Sequence, residues 1–278
     1  LHNQLIMRKD RKISEVKMVI TDMDGTLLDN AGNLPPNFYE QYRELKNRNI
    51  NFVIASGRQI STLYAIFKPI KEELIYISQN GAYVEVKGEE LYSNSLNFDD
   101  VLAIIKRAKQ IPDTFILLCG IEKAYINSVD SVYIDILNQF VTDYEIIEDF
   151  EQLKNIPILK ISLCDIKDPV NNSLPYFIDL KDSFHITVSG KYWFDITHKQ
   201  SNKGYAVKLL QEFLKINFDQ TMIFGDYDND IEMLQNGYFS YAMKNSGSVV
   251  KNAANFLAPS NDQYGVMVVV KELINAIS

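Results

Sequence analysis

Four short apolar runs in this chain stop abruptly at small, polar or acidic residues, and that pattern restricts the fold more than any other feature. Met18-Val19-Ile20-Thr21 runs into Asp22-Met23-Asp24-Gly25, and residues 52–55 run into Ser56-Gly57-Arg58. Residues 74–77 lead to Gln79-Asn80-Gly81, and residues 221–224 to Gly225-Asp226-Tyr227-Asp228-Asn229-Asp230. Uninterrupted apolar runs of this length are expected of strands covered on both faces. Helical patterns lie between the early runs: Pro35-Pro36 opens one carrying Phe38, Tyr42 and Leu45, and Ile60, Leu63, Tyr64 and Phe67 mark the next. Alternating strands and helices predict an α/β fold, a parallel sheet with helices on both faces. Such sheets take ligands outside the carboxyl ends of their strands. Asp22, Asp24, Ser56, Asn80 and Asp226 are therefore expected to share one crevice.

Near Tyr83 the pattern changes. Residues 83–91 alternate like an exposed hairpin turning at Lys87-Gly88, and Asn97 is a cap for a helix bearing Val101, Leu102, Ile105 and Ala108. Strand-like runs at 115–118, 124–126, 156–164, 184–188 and 192–196, with a helical stretch at 132–140, supply enough apolar residues for a separate α/β core. Residues 84–197 are accordingly read as an inserted domain, with 1–83 and 198–278 forming the rest. Strand and helix then alternate again: a helix with Ala206, Val207, Leu210, Phe213 and Leu214, strands at 221–224, 238–243 and 256–258, short helices between them and a final helix.

Composition narrows the function classes. Of 278 residues, 46% are hydrophobic and 23% charged, ordinary for a soluble globular protein and too apolar for disorder. The net charge of −8 argues against broad binding to nucleic acid or anionic membrane. Arg8, Lys9, Arg11 and Lys12 form the dense basic run and read as a solvated tail. Cys119 and Cys164 lie in apolar runs outside any CxxC pair, which predicts buried free thiols and a cytoplasmic protein. No stretch is long enough to span a bilayer, and no signal-peptide pattern is visible. GxSxG, GxxxxGK and GxGxxG are all absent, so serine-hydrolase, nucleoside-triphosphatase and dinucleotide readings lack support.

The acidic clusters carry the chemistry. Carboxylates crowded at strand ends repel one another unless a cation joins them, and Mg²⁺ accepts one or two carboxylates while leaving positions for water and phosphate oxygens. An EF-hand does not fit: the twelfth positions from Asp22 and Asp226 are Asn33 and Gly237, and the sixth are Leu27 and Ile231. Asp22 and Asp24 could also form a simple Asx turn. Asn229 could cap a helix with Glu232 as its partner. Arg58 could bind phosphate or pair with a carboxylate. His185 and His198 have no nucleophile motif beside them and are expected to be structural or exposed.

Asp22-Met23-Asp24-Gly25-Thr26-Leu27-Leu28, Ala55-Ser56-Gly57-Arg58, Lys203-Gly204 and Gly225-Asp226 through Asn229-Asp230 resemble the four ordered motifs of the haloacid dehalogenase (HAD) superfamily. Within it the chain resembles the Cof-type phosphatases, which carry a large α/β (type IIB) cap inserted in a Rossmann-like parallel-sheet core. The resemblance implies that Asp22 is the nucleophile and Asp24 the general acid and base. It implies Mg²⁺ held by the side chains of Asp22 and Asp226 and by the backbone carbonyl of Asp24. Ser56 and Lys203 would hold the phosphoryl group, with Gly25, Gly57, Arg58 and Asn229 around it and Asp230 behind the metal. Asn245 stands among atypical neighbours, Lys244 and Ser246, so the family's phosphate-pocket asparagine is not carried onto it.

The expected activity is a Mg²⁺-dependent hydrolysis of small phosphomonoesters, such as sugar phosphates, pyridoxal phosphate or flavin mononucleotide, through an aspartyl-phosphate. The partner is then a small phosphorylated metabolite. The alternatives are a phosphomutase of the phosphomannomutase type and a non-catalytic sugar-phosphate sensor.

Overall fold

The computed structural model describes residues 11–127 and 130–277. The chain packs as two compact units, one made of residues up to Ala55 together with those from Val207 on, the other of Ser56–Ala206. The expected insertion, 84–197, lies wholly within the second unit, which also takes in 56–83 and 198–206.

The first unit opens with β1 (Met18–Asp22), α1 (Phe38–Asn47) and β2 (Asn51–Ala55). In α1, Phe38, Tyr42 and Leu45 are the buried stripe, and the Phe38 and Tyr42 rings meet Phe52 of β2 edge-on at 5.6 and 6.2 Å. Such contacts add about 0.5–1.5 kcal/mol each to the area they bury.

The second unit begins with α2 (Ile60–Ile66), β3 (Ile75–Ser78), β4 (Tyr83–Val86) and β5 (Glu89–Ser93), the three strands forming an antiparallel ladder. It continues with α3 (Phe98–Ala108), β6 (Thr114–Cys119), β7 (Ala124–Ile126), α4 (Ser131–Leu137), β8 (Tyr144–Ile146), β9 (Lys160–Asp165), β10 (Phe184–Val188) and β11 (Trp193–His198). These six strands form a sheet of order β10-β11-β9-β6-β7-β8, antiparallel except for β7 and β8. One face packs Val101, Ile105, Leu118, Ile161, Leu163 and Phe194 together. The other gathers Phe115, Cys119, Ile126, Leu137, Cys164 and Trp193. Both cysteines are therefore buried free thiols, and burial pushes Cys119 up to about 11 and Cys164 to about 12.

After α5 (Lys203–Leu214) the first unit resumes with β12 (Thr221–Gly225), α6 (Ile231–Leu234), β13 (Phe239–Met243), α7 (Ser248–Ala253), β14 (Phe256–Ala258) and α8 (Gly265–Ile277). Its strands are all parallel, in the order β14-β13-β12-β1-β2. Met18, Val19 and Ile20 of β1 are fully buried, as are Met222, Ile223 and Phe224 of β12. The other two apolar runs are buried as well, Val53, Ile54 and Ala55 of β2 and Tyr76 and Ile77 of β3 fully so, as expected of strands covered on both faces.

Two local expectations need correction. The 83–91 hairpin is not exposed along its first strand: Tyr83, Val84 and Glu85 are buried, and the Glu85 carboxylate accepts hydrogen bonds from the Tyr64 and Tyr83 hydroxyls. Phe213 is exposed, because the chain turns at Lys215 (φ 57°) and folds Ile216 inward instead. Arg11 and Lys12 are exposed, as expected of a solvated run, with Arg11 also pairing with Asp219 at 2.9 Å; Arg8 and Lys9 lie outside the described residues. Among the described residues no helix is long and apolar enough to cross a membrane.

Candidate active site

β1 and β12 are adjacent parallel strands with Thr21 opposite Phe224, so the loops leaving their carboxyl ends emerge side by side. Both loops are acidic. Carboxylate oxygens of Asp22, Asp226 and Asp230 all lie within 4.8 Å of one another; Asp22 and Asp230 are buried and Asp226 half-buried. Two like charges at about 4 Å repel by roughly 4 kcal/mol at an effective dielectric constant near 20. Three such groups form a stable arrangement when a cation joins them. The donor set is entirely carboxylate oxygen, which suits a hard divalent ion such as Mg²⁺. Asp22 and Asp226, with Asp230 beside them, fit such an ion.

Each carboxylate is aimed by its surroundings. Thr26 Oγ1, fully buried, donates to Asp226 Oδ1 at 2.6 Å. Asp230 Oδ2 accepts the backbone N–H groups of Asp226 (3.0 Å) and Tyr227 (3.1 Å), so it braces the turn that presents Asp226. Asp230, not Asn229, is the N-cap position of α6; Asn229 is half-buried in the turn before it. Asp24 is exposed two residues beyond the nucleophile candidate.

Gly25 has φ +80°, and a Cβ there would stand 2.4 Å from Asp226 Oδ2. Both the backbone conformation and the space demand glycine. Gly25→Ala is expected to cost about 1–3 kcal/mol and to displace the Asp226 carboxylate. Urea denaturation measures the first effect, and loss of a Mg²⁺-induced rise in melting temperature the second. An alanine variant with unchanged midpoint and Mg²⁺ response would contradict this account.

Asn245, set aside on sequence, braces the same loop: its Nδ2 donates to the Gly25 carbonyl at 2.8 Å, and its Oδ1 accepts the Asn261 N–H at 3.2 Å. Only the two asparagines themselves hint at this in the sequence.

The remaining candidates belong to the second unit. Ser56 is almost fully buried; its N–H donates to Ile77 O (2.8 Å), its carbonyl accepts from Asn80 N (3.0 Å), and its Oγ accepts from Arg58 N (3.1 Å). Arg58 O in turn accepts from Gln79 N at 3.0 Å, so loops 56–58 and 79–80 interlock. Gln79, Asn80 and Gly81 are three successive left-handed residues (φ 50°, 57° and 92°). A Cβ on Gly81 would sit 2.3 Å from the Asn202 carbonyl, immediately before Lys203. A Cβ on Gly57 would stand 3.1 Å from Asn80 Oδ1, close enough to require the amide to shift. The Arg58 guanidinium lies over the Phe140 ring at 5.9 Å. Lys203 is 1% exposed at the first position of α5, and the preceding Asn202 caps that helix by accepting Tyr205 N at 2.7 Å.

Sequence reasoning missed a buried polar group beside these loops. Lys160 of β9 and Asp195 of β11 form an ion pair at 3.3 Å, with Asn80 Nδ2 on the same Asp195 oxygen at 3.0 Å. Burial alone would lower the Lys160 pKa, but Asp195 outweighs it and holds the ammonium above its ordinary value. The available signal was a lysine inside an otherwise apolar strand run.

A family model for haloacid dehalogenase-like hydrolases matches residues 19–270, and the chain belongs to that family. It is 30% identical over 264 residues to the 5-amino-6-(5-phospho-D-ribitylamino)uracil phosphatase YbjI of Escherichia coli, covering 93% of this chain and 96% of that protein. The crystal structure of SMU.1108c from Streptococcus mutans superposes with a TM-score of 0.86 at 32% identity, over 94% of this chain and 99% of that one. The HAD subclass IIB sugar phosphatase BT4131 shares the fold at a TM-score of 0.79 and 22% identity, over 92% of this chain and 98% of that one. The architecture is thus a mixed α/β HAD fold with a parallel sheet.

Proposed function

We propose that this hydrolase is a Mg²⁺-dependent phosphatase of small phosphomonoesters that works through an aspartyl-phosphate on Asp22. The observation that carries the reading is the convergence of Asp22, Asp226 and Asp230 at the ends of two adjacent parallel strands. In this reading residues 1–83 and 198–278 are the catalytic core, and 84–197 the cap that selects the leaving group. Mg²⁺, held by Asp22, Asp226 and the Asp24 carbonyl, would neutralise charge on the phosphoryl group when bound.

An Asp22 carboxylate oxygen attacks phosphorus in line as the bond to the substrate's ester oxygen breaks. Asp24 gives its proton to the departing alkoxide, releasing the alcohol. Ser56 and Lys203 hold the phosphoryl oxygens by hydrogen bond and charge. Asp24, now ionised, takes a proton from a water molecule that attacks phosphorus. The Asp22–phosphorus bond breaks, and inorganic phosphate leaves. Asp230 keeps Asp226 in register by holding its backbone N–H.

The name of the E. coli relative supports beginning the substrate search with terminal phosphates on flexible polyol chains, beside sugar phosphates, pyridoxal phosphate and flavin mononucleotide. The test is a screen of such esters with Mg²⁺, with free phosphate and alcohol quantified together. Equal amounts of both are expected. An isomerised phosphate without release would establish the mutase, and tight binding without turnover the sensor.

A further inference from the structure

The ion pair between Lys160 and Asp195 is nearly inaccessible, at 7% and 2% exposed. Asp195 carries a dense set of donors: Ser162 Oγ on Oδ1 at 2.6 Å, and Ser189 Oγ (2.7 Å), Asn80 Nδ2 and Lys160 Nζ on Oδ2. A buried pair of this kind is weak evidence for stability, since apolar residues of similar volume often serve as well or better. Its geometry suggests another use. Lys160 Nζ also donates to the Gly57 carbonyl at 2.8 Å, and Gly57 belongs to the loop that carries Ser56.

That carbonyl and the Arg58 N–H are the two ends of one planar peptide. The Arg58 N–H donates to Ser56 Oγ. A cation on the carbonyl end therefore fixes the peptide's orientation and polarises it, which strengthens the bond at the other end. With its Oγ accepting from Arg58, the Ser56 hydroxyl keeps its own proton to donate. The loop is held on its other flank too: Gln59 and Gln79 both donate Nε2 to the Gly120 carbonyl, at 3.3 and 2.8 Å.

We propose that Lys160, held by Asp195, is a positioning residue that acts through the Gly57–Arg58 peptide on the Ser56 hydroxyl, setting it to donate to a phosphoryl oxygen. The inference rests on the reading of Ser56 as a phosphate-binding group.

A double-mutant cycle on the full chain tests it, with p-nitrophenyl phosphate and Mg²⁺ as the assay. Lys160→Met keeps the stem and removes the charge; it should lower kcat/KM about 10–100-fold, the scale of a lost charge-assisted hydrogen bond. Ser56→Ala should cost a similar factor, and the double variant should lie within about threefold of the worse single one, because both remove one pathway. A general loosening of the fold would instead multiply the two losses, and that result overturns the proposal, as does a Lys160→Met enzyme within twofold of wild type. If Lys160→Met does not fold, Asp195→Asn, which withdraws the lysine's counter-charge, enters the same cycle with the same criteria. Absence of turnover in the wild type would strike the phosphatase reading itself, so the two failures are told apart.

Discussion

Asp22→Asn is expected to reduce phosphate release by about 10⁴–10⁶-fold, the scale seen when a covalent nucleophile is removed from a working site. Asparagine matches aspartate in shape, so β1 and the turn after it should be undisturbed, but a neutral amide cannot accept the phosphoryl group. A second result separates this variant from a damaged one. Asp22 lies within 4.8 Å of two other carboxylates, so removing its charge relieves repulsion. Without divalent ions, the variant should melt at or above the wild-type temperature. Phosphate release by a coupled assay and thermal unfolding in EDTA check the pair of outcomes. Activity within tenfold of wild type, from enzyme free of contaminating phosphatase, would refute Asp22 as nucleophile.

Metal withdrawal should have an effect of comparable size. In EDTA, turnover is expected to fall to background and to return with Mg²⁺. The same ion should stabilise the protein independently of catalysis: at a hundred times its dissociation constant, a ligand bound only to the native state contributes about 2.7 kcal/mol. At roughly 2–4 °C per kcal/mol for chains of this size class, the melting temperature should rise by several degrees. Asp226→Asn should abolish most of that rise, since it takes one charge from the cluster and weakens the bond from Thr26. An unchanged melting temperature in saturating Mg²⁺, together with turnover in EDTA, would remove the metal from the account.

The legible parts of this protein are those where a local rule and the tertiary structure agree. Asp22 and Asp226 could be read because each ends an apolar run, and the strands that carry them are buried neighbours. Gly25 could be read only as a neighbour of the phosphoryl group; the cause of its being glycine, the Asp226 carboxylate from the other end of the chain, was not visible. Asn245 escaped for the same reason, since its bond to Gly25 spans 220 positions. Lys160 and Glu85 were hidden differently. In an alternating strand a charged residue reads as solvent-facing, and only their partners, Asp195 and Tyr64, reveal that they point into the interior. The mainly antiparallel order of the second sheet was likewise illegible, because short apolar runs do not declare the direction of their neighbours.

The parallel pairing of β1 with β12 also has a consequence in time. The second unit is one unbroken stretch, and its sheet can close as soon as β11 has left the ribosome. Asp22 must wait: at about 5–20 residues per second, the two hundred positions between Thr26 and Asp226 take roughly 10–40 s to synthesise. Until then no second acidic loop exists, and the nascent chain carries an unfinished first unit and a completed second one. The two acidic loops can thus meet only once the C-terminal strands of the first unit arrive, however early its first aspartate is translated.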